Sequence, residues 1–215
     1  QDPNGYRRGL GINPFVRIGG SKVFSNNGGW GLNSSLLALV ENSYQMGARI
    51  STNSWGAWTS GMYTLDDQIY DSLTRDADLT QPGNQEMIFL FAAGNSGPEP
   101  GSIDSPGNAK NVITVGASES YRPHREAVEG DRCSLSVIAA EQAANNLQEI
   151  ADFSSRGPTD DGRVKPDLVA PGTTILGAAS QAAGYWGEGV CVRYYPAGQT
   201  MYAASSGTSH STRAA

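Results

Sequence analysis

One continuous apolar run constrains the fold of this 215-residue chain more than any other stretch. Residues 87–93, Met-Ile-Phe-Leu-Phe-Ala-Ala, have the length of a strand and are followed by Gly94. An apolar run without polar alternation is typical of a strand buried on both faces, as in a parallel sheet. The run therefore predicts a central strand that is covered by other elements on each side.

Helical and strand patterns alternate along the rest of the chain. Apolar spacing predicts a helix over 33–46, capped by Asn33, and a second helix over 65–75. Residues rich in β-branched and apolar types predict further strands, at 15–18, 22–24, 49–55, 111–116, 152–155, 167–170, 174–178 and 201–204. This alternation predicts an α/β fold with a doubly wound, mostly parallel sheet flanked by helices.

The chain shows no internal repeat and no linker, so residues 1–215 are interpreted as a single domain. Two polar, irregular stretches near 119–150 and 180–200 are interpreted as insertions into that domain.

Composition and charge narrow the classes of function. The net charge is −6 and no basic stripe is present, which argues against binding to nucleic acid. No apolar run approaches the roughly 18 residues that a membrane span needs, so we expect no membrane partner. Only 17% of residues are charged and 27 are glycine, a composition that suits a secreted enzyme with long loops.

The chain has two cysteines, Cys133 and Cys191. Neither belongs to a Cys-x-x-Cys pair, and no His/Cys cluster indicates a zinc site. We interpret them as a disulfide, which would argue for an oxidising compartment. Two free thiols are the alternative.

Ser209 lies where a strand pattern gives way to a helix pattern. Backbone N–H groups at the start of a helix are unpaired and carry a positive partial charge. A serine at that place could attack a carbonyl group and hold the resulting oxyanion. The alternative is that the serine is an ordinary helix cap.

Two further stretches carry groups that suit peptide chemistry. Asn95 lies in a glycine-flanked loop after the apolar run, where its amide could donate a hydrogen bond to an oxyanion. Alternatively, Asn95 is there because asparagine tolerates a left-handed turn. Residues 54–56, Ser-Trp-Gly, end a predicted strand with an edge to which an extended peptide could pair.

These stretches occur together in the order typical of the subtilisin family of serine proteases. The shared motifs are Ser-Trp-Gly at 54–56, Ala-Ala-Gly-Asn at 92–95, Phe-Ser-Ser-Arg-Gly-Pro at 153–158, Lys-Pro-Asp-Leu-Val-Ala-Pro-Gly at 165–172 and Gly-Thr-Ser at 207–209. The chain resembles this family over nearly its whole length, and most of all the larger bacterial subtilases. The resemblance implies a subtilisin-like fold and a serine endopeptidase that acts on polypeptides.

The resemblance also implies roles for individual residues. Ser209 would be the nucleophile that forms an acyl-enzyme, with the Asn95 amide and the Ser209 N–H as oxyanion donors. The residues flanking the extended substrate would be Ser54, Trp55, Gly56, Gly29, Trp30 and Gly31. The primary specificity pocket would be lined by Ala92, Ala93 and Gly94. Because these last residues are small, we expect a roomy pocket that prefers large apolar side chains.

The chain departs from the family pattern in its catalytic triad. The family's Asp-Thr/Ser-Gly and His-Gly-Thr-His motifs occur nowhere in the sequence, and the two histidines are His124 and His210. We therefore expect an incomplete domain, truncated at both ends, whose missing N-terminal segment supplies the triad Asp and His. Such a chain would be inactive alone, because a serine without its base is a poor nucleophile.

Two alternatives to a protease differ in kind. The first is a catalytically inactive subtilase-like module that binds peptides. The second is an α/β-hydrolase esterase, which requires Gly-x-Ser-x-Gly, whereas Ser211 occupies the position of the second glycine.

Arg213 stands where the family usually has proline, and arginine is compatible with a helix. Subtilases often bind a structural calcium ion, but no set of ligands here has diagnostic spacing, so no metal-binding residue is assigned.

Overall fold

The computed structural model describes residues 11–25, 29–32, 34–121, 146–187, 189–195 and 197–215. The elements in chain order are α1 (Leu36–Gln45), β1 (Ile50–Asn53), α2 (Leu65–Leu73), β2 (Ile88–Ala92), β3 (Ile113–Ser118), β4 (Leu168–Pro171), β5 (Ile175–Ala178), β6 (Tyr202–Ser205) and α3 (Thr208–Ala214).

Four of the strands form one parallel sheet in the order β1-β2-β3-β4. The remaining two, β5 and β6, form a separate antiparallel pair. The prediction of an α/β fold with a mostly parallel sheet and flanking helices is confirmed.

The apolar run becomes β2, which is buried on both faces as predicted. Phe89 and Phe91 pack on one side with Val40 of α1 and Tyr70 of α2. Leu90 faces the other side, where Val115 of β3 and residues of β4 and α3 complete a second cluster. The sheet is therefore covered by α1 and α2 on one face and by α3 on the other.

Both predicted helices on the first face form, with small shifts in their bounds. α1 is capped by Ser35, whose hydroxyl accepts a hydrogen bond from the N–H of Ala38 at 3.2 Å. The predicted cap, Asn33, lies outside the described residues. α2 begins with a capping box between Thr64 and Asp67, because each satisfies a backbone donor of the other.

Three of the predicted strands are wrong. Residues 15–18 and 22–24 do not form strands; the described chain there has a single bridge between Phe24 and Trp30. Phe15 is 93% exposed, so the segment 15–18 has no neighbouring strand to pair with, although its composition is typical of a strand. Residues 152–155 form a turn whose hydrogen bonds go to the loop after β2.

The two predicted insertions are described only in part. Residues 122–145 of the first lie outside the described residues, as does Cys133. Within the described residues, 180–200 carry no named helix or strand.

Candidate active site

The loop after β2 and the first turn of α3 meet at the carboxyl edge of the sheet. The Thr208 N–H donates to Asn95 Oδ1 at 2.9 Å, and the Thr208 hydroxyl donates to the same oxygen at 3.1 Å. The Gly94 N–H donates to Thr208 Oγ1 at 3.2 Å. These bonds bring Asn95 beside Ser209, although the two residues are far apart in the sequence.

The same bonds fix which way the Asn95 amide points. A backbone N–H can only donate, so the oxygen of the amide must face Thr208. The amide nitrogen then remains available as a donor on the exposed side of the residue. It lies near the turn before Ser209, at 3.6 Å from the position that a Cβ on Gly207 would occupy.

Ser209 is the second residue of α3 and is half-buried. The first N–H groups of a helix have no acceptor within the helix, so the Ser209 N–H is available to a bound group. The turn before it is held by the Gly207 N–H, which donates to the carbonyl of Gly172 at 2.8 Å. Gly207 has φ +150°, a conformation that favours glycine.

The Ser-Trp-Gly stretch touches the same turn. The Ser54 hydroxyl donates to the backbone carbonyl of Ser209 at 2.9 Å. The Trp55 ring packs edge-on against Phe91, with ring centroids 5.5 Å apart, and against Trp30, at 5.2 Å. Both side chains are thus engaged within the protein, so a peptide that paired with this stretch would contact the backbone of 54–56.

The predicted substrate loop at 29–31 lies beside that edge through the contact of Trp30 with Trp55. Gly29 and Gly31 are exposed, and Trp30 is 50% exposed. The structure therefore places these three residues and the Ser-Trp-Gly stretch together.

The predicted pocket residues differ in their exposure and in the atoms that lie next to them. Ala92 and Ala93 are buried, at 7% and 0% exposure. Gly94 has φ +108°, and a Cβ there would lie 2.5 Å from Asp104 Oδ2 and 2.8 Å from Ser155 Oγ. Asp104, which is half-buried, therefore lies directly against Gly94, whereas Ala93 and Ser155 are fully buried and form no exposed surface.

Asp104 is a site residue that the sequence analysis missed. It lies within the loop between β2 and β3, and no motif marks it. The available signal was its position in Ser-Ile-Asp-Ser-Pro-Gly, an acidic residue within an otherwise uncharged stretch that leads into β3. Burial raises the pKa of the Asp104 carboxyl to about 6.

The raised pKa of Asp104 gives a prediction for stability. A carboxyl whose pKa is higher in the folded than in the unfolded state loses stability as pH rises through the folded value. We expect Asp104→Asn to raise the free energy of unfolding by about 1–2 kcal/mol at pH 8, discounted for partial exposure, and by much less at pH 4. Urea unfolding of both proteins at the two pH values measures this. An equal gain at both values would contradict it.

His210 is poorly placed to act as a base for Ser209. It is the residue after Ser209 on α3, and adjacent helical positions point in directions about 100° apart. Burial, and secondarily the charge of Arg213, lower its pKa. Arg213 itself is exposed in the last turn of α3, where a cation suits the helix dipole.

Other predicted features are only partly described. Cys191 is half-buried next to β6, with its N–H bonded to the carbonyl of Ala204 at 3.0 Å, but Cys133 is not described, so the disulfide stays a prediction. Among the described residues, no three His, Cys, Asp or Glu side chains cluster in a way that could hold a metal ion. No helix in that part of the chain is long and apolar enough to cross a membrane.

Comparison with known proteins identifies the class to which this fold and these motifs belong. The family model described as the subtilase family matches residues 1–215, and the chain belongs to that family of serine proteases.

Individual relatives are matched over shorter stretches. The chain is 37% identical to the serine protease AprX of Bacillus subtilis over 94 residues, 44% of this chain and 17% of that protein. It is 40% identical to pyrolysin of Pyrococcus furiosus over 102 residues, 41% of this chain and 6% of that protein. Among solved structures it is similar to Sphericase, with 21% identity, a TM-score of 0.49, and coverage of 89% of this chain and 49% of that one. The chain thus spans less than a fifth of the length of each of these two curated relatives.

Proposed function

We propose that this protein is a serine endopeptidase in which Ser209 forms an acyl-enzyme with the substrate. The observation that carries the proposal is the orientation of Asn95. Its oxygen accepts from the Thr208 N–H at 2.9 Å, which leaves its nitrogen to donate beside Ser209. A serine at a helix start with a side-chain amide donor next to it suits acyl transfer.

The proposed reaction begins with an extended peptide paired to the backbone of 54–56. The Ser209 hydroxyl oxygen attacks the carbonyl carbon of the scissile bond and loses its proton to a base. The Asn95 amide and the Ser209 N–H donate hydrogen bonds to the oxygen that becomes negative. The C–N bond then breaks, the amine leaves with a proton, and water releases the acyl group from Ser209.

The base and its acidic partner are proposed to come from residues other than these 215, in a further segment of the protein. In support, the family's Asp and His motifs are absent from the sequence, and His210 is poorly placed beside Ser209. That same absence favours the second candidate, a peptide-binding module that does not cleave.

A serine-reactive fluorophosphonate probe distinguishes the two candidates. The probe is added to the full-length protein, and intact mass and peptide mapping report the site of labelling. We expect one adduct on Ser209 that disappears in Ser209→Ala. Ser180→Ala is the matched control, because Ser180 is exposed and lies outside the site.

An adduct on another serine would contradict the proposed nucleophile. A folded full-length protein that takes no label but binds peptides would support the non-cleaving module instead.

We also propose that the protein is secreted and carries a disulfide between Cys133 and Cys191. Membership in a family with many secreted proteins supports this proposal. Peptide mapping without reductant should recover the two cysteines in one linked peptide.

A further inference from the structure

Asp104 lies between the two segments that are proposed to hold the substrate. The Asp104 N–H donates to the carbonyl of Ala93 at 2.9 Å. On its other side, Ser105 and Ala57 exchange both backbone hydrogen bonds, at 2.8 and 3.0 Å. The segment at 104–105 therefore runs between 56–57 and 93–94 and joins them.

The Asp104 side chain lies against two glycines, one from each flanking segment. A Cβ added to Gly94 would be 2.5 Å from Asp104 Oδ2. A Cβ added to Gly56 would be 3.0 Å from the Asp104 Cβ. The absence of side chains on the two glycines lets the Asp104 side chain pack directly on their backbones, between the two segments, while the residue as a whole remains half-buried.

The Asp104 carboxyl lacks a partner within the described part of the chain. Its Oδ1 is buried and accepts no hydrogen bond there. Burial is the cause of its raised pKa of about 6, so the group is mostly ionised at pH 7. An ionised carboxylate that is removed from water without a partner is costly, and a cation is the group that offsets the cost.

We propose that Asp104 determines specificity by binding the cationic end of a lysine or arginine side chain that immediately precedes the scissile bond. This inference rests on the proposed function of the same site and names its substrate class. It replaces the expectation of large apolar side chains, which rested on the small size of residues 92–94.

The proposal follows from the different free-energy cost of placing a cationic or an apolar side chain beside the Asp104 carboxylate. A substrate with lysine or arginine pairs with a carboxylate that is already partly desolvated. A substrate with methionine fills similar space but covers the carboxylate and leaves it unpaired. Sites built around a buried polar group reject ligands that lack its partner far more strongly than apolar pockets reject a missing methylene.

Peptide cleavage by the full-length protein tests this inference. Substrates differ only in the residue before the scissile bond, which is lysine, arginine, methionine or leucine. We expect kcat/KM for lysine to exceed that for methionine by about 100-fold at pH 8. The ratio should fall about 100-fold in Asp104→Asn, which keeps the shape and removes the charge.

Asp160→Asn is the matched control. It removes the same charge from an exposed turn outside the site, so the lysine-to-methionine ratio should not change. In the wild type, the ratio should also decrease as pH falls through about 6, because protonation neutralises Asp104.

A second measurement separates this inference from the proposed function. The affinity of the full-length Ser209→Ala protein for uncleaved lysine and methionine peptides is measured by calorimetry, with and without Asp104→Asn. If the wild-type protein cleaves none of the peptides but the Ser209→Ala protein still binds the lysine peptide more tightly through Asp104, the peptidase proposal fails and this inference stands.

Three results would overturn the inference. The first is equal cleavage or binding of lysine and methionine peptides by a protein with Asp104 intact. The second is a lysine preference that survives Asp104→Asn. The third is the absence of binding by either peptide.

Discussion

Replacing Asn95 with aspartate is expected to lower kcat of the full-length protein about 10²–10³-fold, with a much smaller change in KM. The reason is that an oxyanion donor stabilises the transition state more than the bound substrate. Aspartate keeps an oxygen to accept from the Thr208 N–H and hydroxyl, at 2.9 and 3.1 Å in the wild type. Aspartate has no N–H to donate, and its second carboxylate oxygen would face the oxyanion as an acceptor.

The choice of aspartate separates catalysis from stability. Asn95→Ala removes the acceptor for Thr208 as well as the donor, so it should lower both kcat and Tm. Asn95→Asp should lower kcat to a similar or greater extent while it preserves most of the Tm. Steady-state kinetics and thermal unfolding of the two variants measure both effects. If Asn95→Asp keeps more than about a tenth of the wild-type kcat, Asn95 is not an oxyanion donor.

Gly97→Ala is expected to destabilise the protein by about 3 kcal/mol, since overpacking at a site that cannot relax is costly. A Cβ at this position would lie 2.6 Å from the carbonyl oxygen of Asp152 and closer still to that of Ser154. Both neighbours are backbone atoms of the 152–155 turn. That turn bonds the loop after β2 through the Gly97 N–H, at 2.8 Å from the Phe153 carbonyl. The loop that holds Asn95 must therefore move.

Urea unfolding compares Gly97→Ala with Gly177→Ala. A Cβ at Gly177 meets no atom within 4 Å, so this control adds the same methyl group without a clash. We expect Gly177→Ala to change the free energy of unfolding by less than about 1 kcal/mol. Equal stability of the two variants would show that the 152–155 turn yields easily.

The apolar run shows what the sequence could predict. Residues 87–93 contain the central strand β2 (Ile88–Ala92), and the covered parallel sheet buries this run on both faces as its composition predicted. The predicted strands at 15–18 and 22–24 did not form, because a strand-like composition gives a strand only where a neighbouring strand is available for pairing.

The residues of the candidate site also differ in whether the sequence could predict them. Asn95 and Ser209 could be proposed from motifs that are contiguous in sequence, and the structure brings them together through Thr208. Asp104 could not, because its place depends on hydrogen bonds to Ala93 and on the neighbouring Ser105–Ala57 pairing. Those partners are set by the packing of three separate segments. The local sequence does not indicate which of these three segments lies between the other two.

The bond from Ser54 to Ser209 has a further consequence for how the protein acquires its site. It joins residues 155 positions apart, and Gly94 and Thr208 are joined across 114. Closing such long loops costs entropy before any contact repays it, and chains rich in distant contacts fold slowly. We therefore expect the site to form late in folding. A chain still emerging during synthesis cannot contain the site until α3 has been made, so a nascent chain should lack the arrangement that is proposed to cleave peptides.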